Sequence, residues 1–91
     1  MNRLTRKRLR ESLGEAYLRW REACLQVSDA YRNWARHTGA GADIAFGWYL
    51  AALDREESAA ELYAGLLRQA GAASRLRVTP ARAVAATTAR R

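Results

Sequence analysis

The residues of this chain that could do chemistry are concentrated in the acidic run "DREE" at 54–57, which interrupts a stretch of apolar and small residues at helical spacing. On a helical wheel of about 100° per residue, most carboxylates of this region share one polar side with a basic residue. The members of that side are Asp54, Glu57, Glu61 and Arg68. We interpret them as a solvated helix surface. Glu56 differs, because it falls within the apolar stripe.

Glu56 needs a polar partner if it is buried, since an unpaired buried carboxylate costs several kcal/mol or becomes neutral. Folding the chain into a hairpin places Glu56 near Cys24, with Arg21 and Ser28 as the nearest polar side chains on the other helix. We expect one of these two to pair with it. The alternative is a carboxylate metal site.

A metal site in a helical bundle requires further glutamates and Glu-x-x-His motifs that project inward from facing helices. The sequence has no such motif, and its one histidine, His37, lies beside the expected turn, where it suits a helix C-terminus. We therefore expect no metal and no bound cofactor.

Covalent catalysis is equally poorly supported. The sole cysteine, Cys24, lies within an apolar stripe, where a free cysteine packs as a small core residue. There is no second histidine and no Gly-rich phosphate loop. We predict a protein that is not an enzyme, with no catalytic residues. A lone cysteine also favours a reducing compartment, and with no signal-like apolar segment we expect a cytoplasmic protein that does not span a membrane.

Length and composition favour one small helical domain. The chain has 91 residues, of which 49% are hydrophobic, with six glycines and one proline. These values predict an all-α fold with one marginal core.

Two long helices are predicted on either side of a glycine-rich turn. "SLGE" at 12–15 matches a capping box, and "HTGAG" supplies Gly39 and Gly41 for a C-cap and turn. Asp43 then suits the N-cap of the second helix, and Gly71 a second C-cap. The predicted boundaries are a basic arm at 1–11, a hairpin at 12–71 and a disordered basic tail at 72–91. Within the hairpin they are a helix at 12–38, a turn at 39–42 and a helix at 43–70.

An apolar stripe on the first helix recurs at alternating spacings of four and three, which is typical of a helix seam. It consists of Leu13, Tyr17, Trp20, Cys24, Val27, Tyr31 and Trp34. The second helix carries a facing stripe, formed by Phe46, Tyr49, Leu53, Ala60, Tyr63 and Leu67. It also carries a second stripe beside the first, formed by Ile44, Trp48, Ala52, Ala59, Leu62 and Leu66. We expect the aromatic residues to serve as core or interface rather than as stacking platforms.

One neighbouring helix cannot cover both stripes, so the second stripe is predicted to be an interface. The candidate interface residues are Ile44, Trp48, Ala59, Leu62 and Leu66, with Leu18 and Leu25 lying outside the arc of the first helix. A second copy of the hairpin is the favoured partner, which predicts a homodimeric four-helix bundle. Another helical protein and a folded-back tail are the alternatives.

Charge is distributed unevenly along the chain. Residues 1–10 hold five basic and no acidic side chains, residues 11–70 six basic and nine acidic, and residues 71–91 five basic and no acidic. The hairpin topology gathers both basic segments at one pole. These residues are Arg3, Arg6, Lys7, Arg8, Arg10, Arg75, Arg77, Arg82, Arg90 and Arg91.

The basic pole leaves two functional predictions open. The first is a structural or interaction module that self-associates and uses its basic segments for solubility. The second is a protein that binds nucleic acid without sequence selectivity through these residues, because clustered cations release counterions from phosphate backbones. An anionic membrane surface or an acidic protein is a weaker alternative, and the membrane is disfavoured because Leu4, Leu9 and Leu13 form no clear apolar face. The residues assign the chain to no family.

Overall fold

The structure is a computed structural model that describes residues 2–75. It contains two α-helices, α1 (Arg3–Ala35) and α2 (Ala40–Arg75), joined by a short turn. Trp34 near the end of α1 contacts Phe46 near the start of α2, and Tyr17, earlier in α1, contacts Tyr63, later in α2, so the helices are antiparallel. The all-α hairpin is therefore confirmed. Of the tail predicted to be disordered at 72–91, residues 72–75 belong to α2, which corrects that boundary, and residues 76–91 lie outside the described residues.

The first helix begins earlier than the capping box indicated. Asn2 is the N-cap, and its side-chain oxygen accepts a hydrogen bond from the backbone N–H of Thr5 at 2.8 Å. Ser12 and Glu15 lie inside α1. The predicted start at residue 12 is wrong because Asn2 already provides the cap, and the Arg, Lys and Leu residues that follow are good helix formers. The basic segment from Arg3 onward is thus an ordered part of α1.

The turn between the helices has the predicted length of four residues but lies three residues earlier in the chain, at 36–39. α1 ends at Ala35, and the backbone N–H groups of Arg36 and His37 donate to the carbonyls of Asn33 and Trp34 at 3.2 and 3.1 Å. The Nδ1 atom of His37 donates to the carbonyl oxygen of Asn33 at 2.6 Å. His37 therefore adds a second hydrogen bond to a carbonyl in the last turn of α1, in keeping with its expected place at the helix C-terminus.

Gly39 provides the reversal of the chain with a φ of 65°. The positive φ predicted at Gly39 is confirmed, whereas Gly41 already belongs to α2. Because one left-handed residue is enough for the turn, α2 begins at Ala40, and Asp43 lies in its first turn instead of capping it. At the other end, α2 continues through Gly71, which was expected to end it.

The contact between the helices is centred on alanine. Among the described residues, the buried side chains are Ala16 and Ala23 of α1 with Ala45 and Ala52 of α2. Each pair is seven residues apart, so each forms a row along its helix. Small side chains on these rows let the two backbones approach closely.

The alanine contact corrects the predicted seam. Trp20 and Val27 are half-buried beside it, whereas Tyr17 and Tyr31 are exposed. On the wheel, the face of α1 that meets α2 is rotated by about 40° from the centre of the predicted stripe. The predicted stripe of α1 therefore lies along one side of the hairpin contact and is only partly covered by α2.

Neither described helix combines the length and the apolar content that crossing a membrane requires.

Candidate interaction surfaces

One side of the hairpin is lined by aromatic side chains from both helices; we call it the aromatic flank. Its first cluster lies toward the N-terminus of α1 and contains Tyr17, Trp20 and Tyr63. The rings of Trp20 and Tyr63 are stacked, with centroids 5.8 Å apart and an interplanar angle of 22°. Tyr17 contacts Tyr63 edge-on at 5.7 Å. The indole Nε1 of Trp20 is buried without a hydrogen-bond partner in the described part of the chain.

The second cluster of the aromatic flank lies toward the turn and contains Tyr31, Trp34, Phe46 and Tyr49. Trp34 stacks on Tyr49 at 5.6 Å and 15°. The ring centroids of Phe46 and Trp34, which belong to the two stripes predicted to face each other, are 4.9 Å apart. Tyr31 contacts Tyr49 edge-on at 5.7 Å. Tyr31 is 52% exposed, so this cluster also faces solvent.

The two clusters repeat one arrangement. The sequences "YLRW" at 17–20 and "YRNW" at 31–34 place Tyr and Trp three residues apart twice, two heptads apart on α1. Tyr63 and Tyr49 are separated by the same interval on α2, and each stacks on the tryptophan opposite. This repeated Tyr-x-x-Trp pattern is visible in the sequence, and our reading of the sequence missed it.

The region between the clusters contains Cys24, Leu53 and Glu56, all of them half-buried. Glu56 lies on the row of Tyr49 and Tyr63, seven residues from each. In the described part of the chain it makes no ion pair and no side-chain hydrogen bond. The predicted pairing of Glu56 with Arg21 or Ser28 is therefore wrong for the single hairpin, because Glu56 is open enough to be solvated.

The remaining carboxylates of the acidic run lie where the sequence placed them. Asp54, Glu57 and Glu61 are exposed, as is Arg68. Within the described residues, no group of three or more Asp, Glu, His or Cys side chains is arranged to hold a metal ion.

The side of the hairpin opposite the aromatic flank is mixed in character; we call it the opposite flank. α2 presents a row of Trp48, Arg55 and Leu62 there. Leu62 and Leu66 border a shallow pocket whose α1 wall is formed by Ser12, Glu15, Ala16 and Arg19. The Nε atom of Arg55 donates to Gln26 Oε1 at 3.4 Å. The α1 half of this flank is therefore largely polar.

The predicted second stripe of α2 is split by the structure. Ala52 was assigned to that stripe, yet it is 1% exposed and packs against α1. Ala59 and Leu66 are half-buried. Trp48 and Leu62, at 61% and 50% exposure, remain available for a partner, as does Ile44.

Leu18 and Leu25 of α1 lie seven residues apart, and both are more than 60% exposed. On the wheel of α1 they lie on the side that points away from the alanine contact with α2. They are therefore not continuous with Trp48 and the opposite flank.

The basic residues near the N-terminus form an ordered row on α1. Arg3, Arg6, Lys7 and Arg10 recur at spacings that place them on one helix face, on the side of the aromatic flank. Arg8 lies on another face. Lys7 approaches Glu11 at 4.0 Å, an exposed pair of small energetic value. Arg75 ends α2, whereas Arg77, Arg82, Arg90 and Arg91 lie outside the described residues.

Comparison of the chain with protein-family models, with curated proteins and with solved structures finds no match.

Proposed function

We propose that this protein is a non-enzymatic helical-hairpin interaction module that associates with a second copy of itself. One observation carries the proposal: the fully buried side chains of the described hairpin are four alanines, while eleven of its large apolar side chains are exposed and the others are at most half-buried. The exposed set is Leu4, Tyr17, Leu18, Leu25, Tyr31, Ile44, Phe46, Trp48, Leu50, Leu62 and Leu67.

An alanine contact alone is a weak core for two helices of this length. Burying one large apolar side chain contributes roughly 1.5–3 kcal/mol, and a small domain has few other sources of stability. Association would cover several of these side chains at once. Exposed apolar surface of this extent is typical of protein interfaces. Another helical protein is the alternative partner. The free thiol of Cys24 supports a reducing compartment such as the cytoplasm.

Light scattering over a range of concentrations tests this proposal. We expect a mass of twice the 10.2 kDa chain at high concentration, falling on dilution. Circular dichroism on the same samples reports whether the hairpin remains helical. A fully helical protein that keeps the mass of one chain at the highest concentration contradicts self-association.

A second candidate function, binding of nucleic acid, is favoured by the ordered basic row of Arg3, Arg6, Lys7 and Arg10. A rigid helix holds these cations at a fixed spacing, and neutralising several phosphates releases counterions. The test is the salt dependence of binding to a mixed-sequence DNA. We expect log affinity to fall linearly with log salt, and less steeply when Arg3, Arg6 and Arg10 are changed to Gln.

A matched control replaces three basic residues outside the row, Arg19, Arg32 and Arg36, by Gln. It lowers the net charge equally, so we expect it to keep most of the salt slope. Equal slopes for the two triple variants, or no binding at low salt, would leave the basic row as a solubilising feature.

A further inference from the structure

We propose that the aromatic flank binds a second copy of this chain, and that the two hairpins are antiparallel, with their turns at opposite ends of a four-helix bundle. This inference rests on the proposed self-association and specifies its surface and geometry.

The apolar stripes of α1 and α2 lie where the stripes of a four-helix bundle would lie. In a four-helix bundle each helix directs its main apolar stripe toward the common centre, while small residues line the contact with one neighbour. Here the contact between α1 and α2 is lined by Ala16, Ala23, Ala45 and Ala52. The heptad stripes of both helices lie to the same side of that contact, along the aromatic flank. The single hairpin thus has the side-chain arrangement of half a bundle.

The two flanks of the hairpin differ in polarity. Both helices contribute apolar residues to the aromatic flank, including Tyr17 and Tyr31 of α1 and Phe46 of α2. On the opposite flank, α1 contributes Ser12 and Arg19 beside Leu62. A partner that covered the opposite flank would have to desolvate these polar groups. The aromatic flank carries one half-buried carboxylate between its clusters, Glu56, among mainly aromatic and aliphatic side chains, so we expect a smaller desolvation cost there.

The size of the aromatic flank suits a stable dimer. Its apolar part extends from about Leu13 to Ala35 on α1, which is roughly 33 Å at 1.5 Å per residue. Two helices of about 10 Å diameter make it about 20 Å wide, giving roughly 700 Å² per copy. This is close to the approximately 800 Å² per partner of a standard specific interface.

The charge distribution selects the antiparallel orientation. Five basic and no acidic side chains lie in the first ten residues, and all five belong to the ordered start of α1. A parallel pair would place two such segments side by side, and like charges at short range repel. An antiparallel pair separates them by the length of the bundle.

The repeated clusters provide the register. Because the Trp20–Tyr63 and Trp34–Tyr49 stacks are equivalent, the first cluster of one copy can face the second cluster of its partner on both sides of a twofold axis. That axis passes the midpoint of the clusters, between Cys24 and Val27 on α1 and near Glu56 on α2. In this register the basic start of α1 extends past the turn of the partner and remains uncovered.

A matched pair of substitutions tests which flank is used. Tyr31→Glu changes the aromatic flank and Trp48→Glu changes the opposite flank; both positions are more than half exposed, at 52% and 61%. We expect Tyr31→Glu to raise the dimer dissociation constant by about a hundredfold or more, because each interface contains the new charge twice. We expect Trp48→Glu to change it by less than about threefold. The reverse ranking would overturn the choice of surface.

Spin labels at the turn test the orientation without placing a label on either flank; the one change on the aromatic flank is the conservative Cys24→Ser. In a Cys24→Ser, Thr38→Cys protein, each label lies about 12 residues from the midpoint of the clusters. An antiparallel dimer then separates the two labels by roughly 40 Å at 1.5 Å per residue, whereas a parallel dimer brings them within about 20 Å. A short distance between the two labels overturns the antiparallel arrangement. This measurement does not use Tyr31→Glu, so it remains a test even if that substitution unfolds the hairpin.

Different results contradict the proposed self-association and the proposed surface and orientation of the dimer. A wild-type protein that stays monomeric and helical contradicts the proposed function and this inference together. A dimer that is broken by Trp48→Glu, or that shows a short distance between the labels, keeps the proposed function and contradicts only the surface or the orientation.

Discussion

At the scale of single residues, Gly39 determines how the chain reverses. Its φ of 65° lies in the left-handed region, which side chains with a Cβ adopt at a cost of roughly 1–2 kcal/mol. Gly39→Ala should therefore lower the free energy of unfolding by about 1 kcal/mol. Urea unfolding at a fixed protein concentration measures this change.

Gly14 is the matched control for Gly39. It lies within α1, and a Cβ added there would meet no atom within 4 Å. Because alanine is the better helix former by roughly 1 kcal/mol, Gly14→Ala should raise the free energy of unfolding by about 0.5–1 kcal/mol. The same substitution should thus have opposite signs at the two sites. Equal signs would contradict the conformational argument at Gly39.

Glu56 tests the centre of the proposed dimer. In the single hairpin this side chain is half-buried, and it lies midway between the clusters, so a twofold axis there brings two carboxylates near each other. Two negative charges about 8 Å apart repel by roughly 2 kcal/mol at an effective dielectric constant of about 20. Glu56→Gln should therefore lower the dimer dissociation constant by up to about thirtyfold, as measured by analytical ultracentrifugation.

The opposite result for Glu56 is equally informative. A weaker dimer in Glu56→Gln would indicate that the carboxylate pairs across the interface, for example with the partner's Arg21. Glu56→Asp is the control, because it retains the charge and should associate much as the wild type does.

At the scale of the helices, the alanine contact sets the distance between α1 and α2. Ala52 is 1% exposed, so a larger side chain there must push the helices apart or distort its own rotamer. Ala52→Leu should lower the free energy of unfolding by roughly 1–3 kcal/mol. Ala51→Leu, one residue earlier and exposed, should change it by less than about 0.5 kcal/mol. A neutral Ala52→Leu would contradict a closely packed alanine contact.

The sequence was sufficient to predict both helices and their antiparallel pairing. The alternation of four and three from Leu13 to Trp34 requires a helix, and Gly39 marks its reversal. The same pattern does not specify which structure covers an apolar stripe. Alanine is common both on surfaces and in close helix contacts, so Ala16 and Ala23 gave no signal that α2 would pack against them.

The helix boundaries were harder to predict, for a local reason. A Ser-x-x-Glu sequence such as that at 12–15 caps a helix only if the chain before Ser12 is not helical. Asn2 caps α1 at an earlier position, and the residues between have no helix breaker. At the other end, the structure carries α2 through Gly71 to Arg75. A glycine inside a helix costs about 1 kcal/mol, which neighbouring turns can offset.

At the scale of the whole molecule, the fold and the association should be coupled. Much of the large apolar surface of the hairpin is exposed until a partner covers it, so dimerisation stabilises the folded state by mass action. The basic start of α1 lies beyond the covered region in the proposed register. The same molecule can therefore use its flank for association and still present its cations to a polyanion.

This coupling predicts a thermal midpoint that depends on protein concentration. A hundredfold increase in protein concentration stabilises the folded dimer relative to the unfolded chains by about 2.7 kcal/mol per dimer. With roughly 2.1 cal/mol/K per residue of unfolding entropy, two hairpins of about 73 residues should show a rise in Tm of about 9 °C. Calorimetry or circular dichroism over that concentration range measures the rise. Tyr31→Glu should remove this dependence of Tm on concentration, and Trp48→Glu should retain it, because only the first substitution changes the surface that the second copy covers. A midpoint that does not depend on concentration in the wild type would mean that the hairpin is stable without a partner, and the exposed aromatic clusters would then require another occupant.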